Sequence, residues 1–110
     1  MMRALSVLSA LIVVLLYSLP ITAADAAAGK EAYTKKCATC HADTGDGKEA
    51  IAKMFQVTMK PLGSKEIQSK SDADLKKVIL EGTGKMKPVK DVDAKAADDI
   101  VAHVRSLAKK

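Results

Sequence analysis

The first apolar block of this chain is its only continuous one. Ala4 to Leu19 is apolar apart from Ser6, Ser9 and Ser18, and no charge falls between Arg3 and Asp25. Pro20 ends the run and small residues follow. A positive start (Met1-Met2-Arg3), an apolar stretch and Ala24-Asp25-Ala26 as an A-x-A cleavage site read as an export signal over residues 1–26. Thr22-Ala23-Ala24 is a competing site, with cleavage after Ala24. The alternative is a retained membrane anchor, since the stretch is nearly long enough to span a bilayer. With no cysteine at the cleavage site, a lipid anchor is not expected.

The later apolar positions are spaced as on helices. Gly29 to Ala38 is rich in good helix formers, with Gly29 and Tyr33 four apart on one face. Ile51, Met54 and Phe55 give an i, i+3, i+4 face to a helix over Glu49 to Phe55. Gln56 to Ser64 holds Pro61 and Gly63 and reads as a loop. Ser71-x-x-Asp74 is a capping-box variant that opens a helix with Leu75, Val78 and Ile79 as its buried stripe and Gly82 at its C′ position. Gly82 to Pro88 is again loop. Asp93 caps a last helix to about Ala108, with Ala97, Ile100, Val101, Val104 and Leu107 on its apolar face. No strand alternation and no internal repeat appears, so the fold class is all-α.

Length limits how such a chain holds together. Cleavage after Ala26 leaves one domain, residues 27–110, which is 84 of the 110 residues. A domain that short buries a marginal core, and its only aromatics would be Tyr33 and Phe55. It calls for a staple. The formal charge is +5, spread over lysines along the whole sequence. Without aromatic interleaving this is not a nucleic-acid groove. It is a solvated surface, and one able to steer docking onto acidic partners at low salt.

The staple is written at Cys37-Ala38-Thr39-Cys40-His41. These are the only two cysteines, three apart, with a histidine next. C-x-x-C-H is the attachment signal of a c-type haem. Each thiol adds across one porphyrin vinyl: an S–C bond forms and the thiol hydrogen goes to the neighbouring carbon. The adjacent His41 then binds iron as proximal ligand. Three other chemistries are weaker. A redox dithiol should follow a strand. A structural zinc site needs four ligands, and the only other histidine is His103. A disulfide would close a very short ring beside an unexplained histidine. The loop Asp43-Thr44-Gly45-Asp46-Gly47 lacks the later ligands of a calcium site.

Met54, Met59, Met86 and His103 are candidates for the second axial position. Met86 lies in an irregular segment with glycines before it and Pro88 after it, where a thioether reaches iron without breaking helix hydrogen bonds. Met59, also near a proline, is the runner-up. Met54 shares a helical apolar face, where a methionine is more often core. His/Met ligation raises the reduction potential relative to bis-histidine and closes iron to small ligands, as suits a carrier.

These residues resemble the class I c-type cytochromes, small single-haem electron carriers of the bacterial periplasm. The resemblance covers nearly all of the chain after the leader. Cys37, Cys40 and His41 match the attachment motif. Gly84-Lys85-Met86-Lys87-Pro88 resembles the axial-methionine loop, although there methionine usually precedes proline directly. Gly29 and Tyr33 resemble first-helix positions that cross the last helix, and Ile100 to Leu107 is similar to that closing helix, where an aromatic commonly replaces His103. The resemblance implies a small cytochrome c fold of three to five helices, the N- and C-terminal ones crossing, wrapped around one covalent haem c. It places His103 near the Gly29/Tyr33 crossing, packed there or pointing to solvent at its edge, rather than on iron. It also asks for a carbonyl to accept from the His41 ring, usually from a nearby proline loop, but no proline occurs between His41 and Pro61.

The implied function is one-electron transfer in the periplasm by a monomer, not an enzyme. Its partners would be acidic-faced redox proteins, membrane respiratory complexes among them, and not nucleic acid. Two other functions remain open: a haem subunit tethered to a membrane oxidoreductase, and a haem enzyme or gas sensor with an open sixth position.

Overall fold

A computed structural model describes residues 23–109. The leader's apolar block lies outside the described residues. Six helices follow: α1 Ala26–Lys36, α2 Ala38–His41, α3 Glu49–Phe55, α4 Lys65–Gln68, α5 Asp72–Glu81 and α6 Ala94–Ser106. That exceeds the expected three to five because α2 and α4 are single turns of four residues, too short to carry a period. Among the described residues no strand forms, only a bridge between Thr83 and Met86. No helix among them is long and apolar enough to cross a membrane.

The first and last helices cross, and Gly29 sets how closely. A Cβ built on Gly29 would stand 1.8 Å from the carbonyl oxygen of Asp99 and 3.0 Å from the Ile100 nitrogen. Only a residue without a side chain lets the two backbones meet. Tyr33, one turn further along α1, and Ile100 are the largest fully buried side chains. Ala97, Val101 and Val104 from α6 and Ile79 from α5 complete the core with Cys37 and Ala38.

Local signals start the helices where the sequence places them. The Asp25 carboxylate accepts from the N–H groups of Ala27 and Ala28 at the start of α1. Ser71 Oγ accepts from Asp74 N–H, and Asp93 from Ala96 N–H. Gly82 ends α5 at φ 78°, with Met86 O and Pro88 packed where a side chain would stand. Arg105 ties α6 to the α4–α5 junction: its guanidinium donates to Gln68 O at 2.8 Å, Lys70 O at 2.6 Å and Asp72 Oδ1 at 2.8 Å.

One helix departs from expectation. The period of α3 predicted a packed face, yet α3 has no buried residue; Met54 is 65% exposed and Phe55 42%. Its apolar side meets no layer of protein in the crossing of α1, α5 and α6, so Met54 is not a core methionine.

Candidate functional site

The cysteine turn is built from the end of α1. Cys37 closes α1 through its N–H to Tyr33 O and opens α2, where Cys40 N–H and His41 N–H both return to Cys37 O at 3.2 and 3.0 Å. One turn therefore carries both thiols and the imidazole. Ala42 leaves it at φ 61°, unusual for a residue with a Cβ. Two bonds hold that corner: Ala42 N–H to Ala38 O at 2.9 Å, and the Tyr33 hydroxyl donating to Ala42 O at 2.5 Å. The next loop folds back over the turn, Gly47 N–H to His41 O at 2.8 Å and Lys48 N–H to Cys40 O at 3.0 Å.

Electrostatics favour a ligand role. Both cysteines are free thiols. Burial first, then the nearby Cys40, pushes Cys37 up to about 11, so its sulfur is held as the neutral thiol. Burial lowers His41 below its ordinary value and keeps the imidazole neutral, the form that binds metal. Its Nδ1 is buried without a partner. Among the described residues no carbonyl accepts from that ring, while the returning loop gives its Gly47 and Lys48 N–H groups to the backbone of the turn. An unpaired buried ring nitrogen is costly in a purely structural histidine. Two free thiols on one turn beside a neutral, partly unpaired imidazole fit a c-type haem.

The other candidates come from different segments of the chain. Met86 is half-buried in a tight hairpin, exchanging both backbone bonds with Thr83 at 2.8 and 2.9 Å, and Val89 N–H to Ile79 O ties the hairpin's exit to the core. Met59 packs on the loop that covers the motif: its Sδ lies 3.5 Å from where a Cβ on Gly47 would stand. His103 is buried in the helix crossing with its ring centroid 4.9 Å from that of Tyr33. Tyr33 itself was legible as a packing residue; its hydroxyl bond to Ala42 was not, because nothing local pairs residues 33 and 42.

Residues 24–104 match the family model described as cytochrome c oxidase, cbb3-type, subunit III. The chain belongs to this family of c-type cytochromes. The matched residues include the whole cysteine turn and Met86, and haem-based electron transfer is the family's chemistry. Among solved structures the cytochrome resembles the KustC0563 c-type cytochrome, 26% identical, with a TM-score of 0.64 over 74% of this chain and 98% of that one. It also resembles cytochrome cL from Hyphomicrobium denitrificans, 24% identical, TM-score 0.58, over 76% of this chain and 47% of that one. Cytochrome cL from Methylophaga aminisulfidivorans MPT is 23% identical, TM-score 0.58, over 84% and 58% respectively. The chain thus spans about half the length of the two cytochromes cL, and these show the shared fold alone. No curated protein matches the chain by sequence.

Proposed function

We propose that this cytochrome is an exported, periplasmic one-electron carrier with a single haem c, attached through Cys37 and Cys40 and ligated by His41 and Met86. The observation that carries the reading is the turn Cys37–His41, held rigid by Tyr33 and the returning loop. Haem bound there supplies a one-electron Fe(III)/Fe(II) couple. The chain's own residues do the rest. Cys37 and Cys40 fasten the group. His41 offers a neutral imidazole. A thioether from Met86 favours the reduced state and leaves no site for small ligands. The sulfur of Met59 is already packed on Gly47, which supports Met86 over it. Lys48 beside the cysteine turn and Lys85 and Lys87 around Met86 are exposed. Those charges suit an acidic-faced redox partner, with association that weakens as salt rises.

An optical spectrum tests the ligands. The expected spectrum is low-spin with the weak long-wavelength band of Fe(III)–thioether ligation, lost in Met86→Ala together with a fall in potential. If the band survives that change and disappears in Met59→Ala, the assignment of Met86 is wrong. A high-spin ferric form that takes cyanide readily would instead favour an enzyme or gas sensor. The description of the matching family supports a second reading, a haem subunit held at a membrane oxidoreductase. Recovery with membranes, with residues 1–24 retained, would favour it.

A further inference from the structure

We infer that the mature cytochrome begins at Asp25, its leader being removed after Ala24, and that the α-ammonium so released pairs with the buried carboxylate of Asp99. The inference rests on the export reading above and chooses between its two cleavage sites.

Asp99 lies on α6 at the helix crossing and is 7% exposed. A carboxylate that buried needs donors. Two reach the same oxygen: Lys95 Nζ at 2.5 Å and the Asp25 backbone nitrogen at 2.8 Å. Both bonds hold Asp99 below its ordinary range, Lys95 contributing most. The Asp25 nitrogen is the atom that processing after Ala24 transforms. An export peptidase adds water across the Ala24–Asp25 peptide bond; the C–N bond breaks, Ala24 leaves as a carboxylate, and Asp25 keeps its nitrogen as an ammonium. A weak amide contact becomes a charged one at an unchanged place in the fold. The helix dipole disfavours a cation at the start of α1, but the Asp25 and Asp99 carboxylates flank it.

Cleavage after Ala26 would dismantle this corner. It removes the second donor to Asp99 and the cap on Ala27 and Ala28. It also removes the carbonyl that accepts from Gly29 N–H at 2.9 Å, at the point where the helices approach most closely. Ala23 and Ala24, by contrast, are exposed and lie outside α1. Thr22 and Ala24 meet the small-residue requirement on the leader side.

Intact mass of the holoprotein from a host that exports it and attaches haem tests the site. The expected mass is residues 25–110 plus one haem. A chain starting at Ala27 overturns the inference while sparing the export reading; a chain retaining residues 1–24 overturns both. Ala26→Leu separates the sites again, because Ala26 is the last leader residue for one and the second mature residue for the other. Processing should continue unchanged, and accumulated precursor would overturn the proposal. The ion pair is read from acylation of the α-amine, which faces the Asp99 carboxylate, with Lys95 on the same oxygen and its own carboxylate beside it. In mature wild type it should react more slowly than in Asp99→Asn, about tenfold for each pKa unit by which Asp99 raises the amine. Equal rates would overturn the pairing.

Discussion

Gly29→Ala is the sharpest test of how this fold closes. The new Cβ would stand 1.8 Å from Asp99 O and 2.4 Å from Asp99 C, both backbone atoms of a packed helix with no rotamer to relieve the clash. Ordinary contact begins near 3.4 Å, so α1 and α6 must separate by about 1.6 Å at the crossing. A gap of that size forfeits more than half of the dispersion contacts across it. Tyr33, Ala97 and Ile100 lie in that seam and are almost wholly buried. Each large side chain is worth about 1.5–3 kcal/mol when buried. Losing about half of that for Tyr33 and Ile100, with some opening of Ala97, costs about 3 kcal/mol. Alanine's better helix propensity returns about 1 kcal/mol. The net loss is about 2 kcal/mol, or roughly 8–16 °C in Tm for a domain of this size. Guanidinium and thermal unfolding of the holoprotein, followed by far-UV circular dichroism and by haem absorbance, give the number. Gly84→Ala is the control, since nothing lies within 4 Å of that position and only its φ of 54° costs anything. A Gly29→Ala protein within about 0.5 kcal/mol of wild type, the scatter of ordinary surface changes, would refute the close-crossing account.

Other substitutions test the links between the frame and the cysteine turn. Tyr33→Phe leaves Ala42 O without its hydroxyl donor and should cost about 1–2 kcal/mol in chemical unfolding while the ring still packs. Arg105→Lys replaces a planar fork that serves Gln68, Lys70 and Asp72 with a point charge, and should cost about 1–2 kcal/mol in the same assay. His103, held below its ordinary pKa by burial and then by Lys30, stays neutral in the fold while the unfolded chain takes up a proton near pH 6.5. The unfolded state then binds more protons, so stability is full above that pH and falls as pH drops from about 6.5 towards the folded pKa. His103→Phe should remove that part of the slope between pH 7 and 5; an unchanged slope would show that His103 does not titrate with unfolding.

Much of this protein follows from local chemistry. Cys37, Cys40 and His41 share one turn by sequence alone, because three side chains within five consecutive residues need no distant contact to stay together. Asp93 and Ser71 start their helices, and Gly82 stops one, through contacts within a turn of themselves. The buried stripe of α6 is legible for the same reason, since period and burial coincide over thirteen residues. The seven-residue α3 shows where that logic fails. Periodicity says which side is apolar, but whether anything covers it depends on elements elsewhere, and here Met54 and Phe55 remain exposed.

What only the tertiary structure decided are the contacts between residues far apart in sequence. The resemblance placed Gly29 where the first helix crosses the last; how closely the two backbones meet there, and so its need to be glycine, comes from Asp99, seventy residues away (99 − 29). Tyr33 secures the exit from the cysteine turn, and Asp99 binds the backbone of Asp25. Local propensity acts within a turn or two of the chain. The fit of one backbone against another, and the pairing of a buried charge, exist only once both ends are in place, so the sequence alone marked the cysteine turn while the helix crossing determined what holds it.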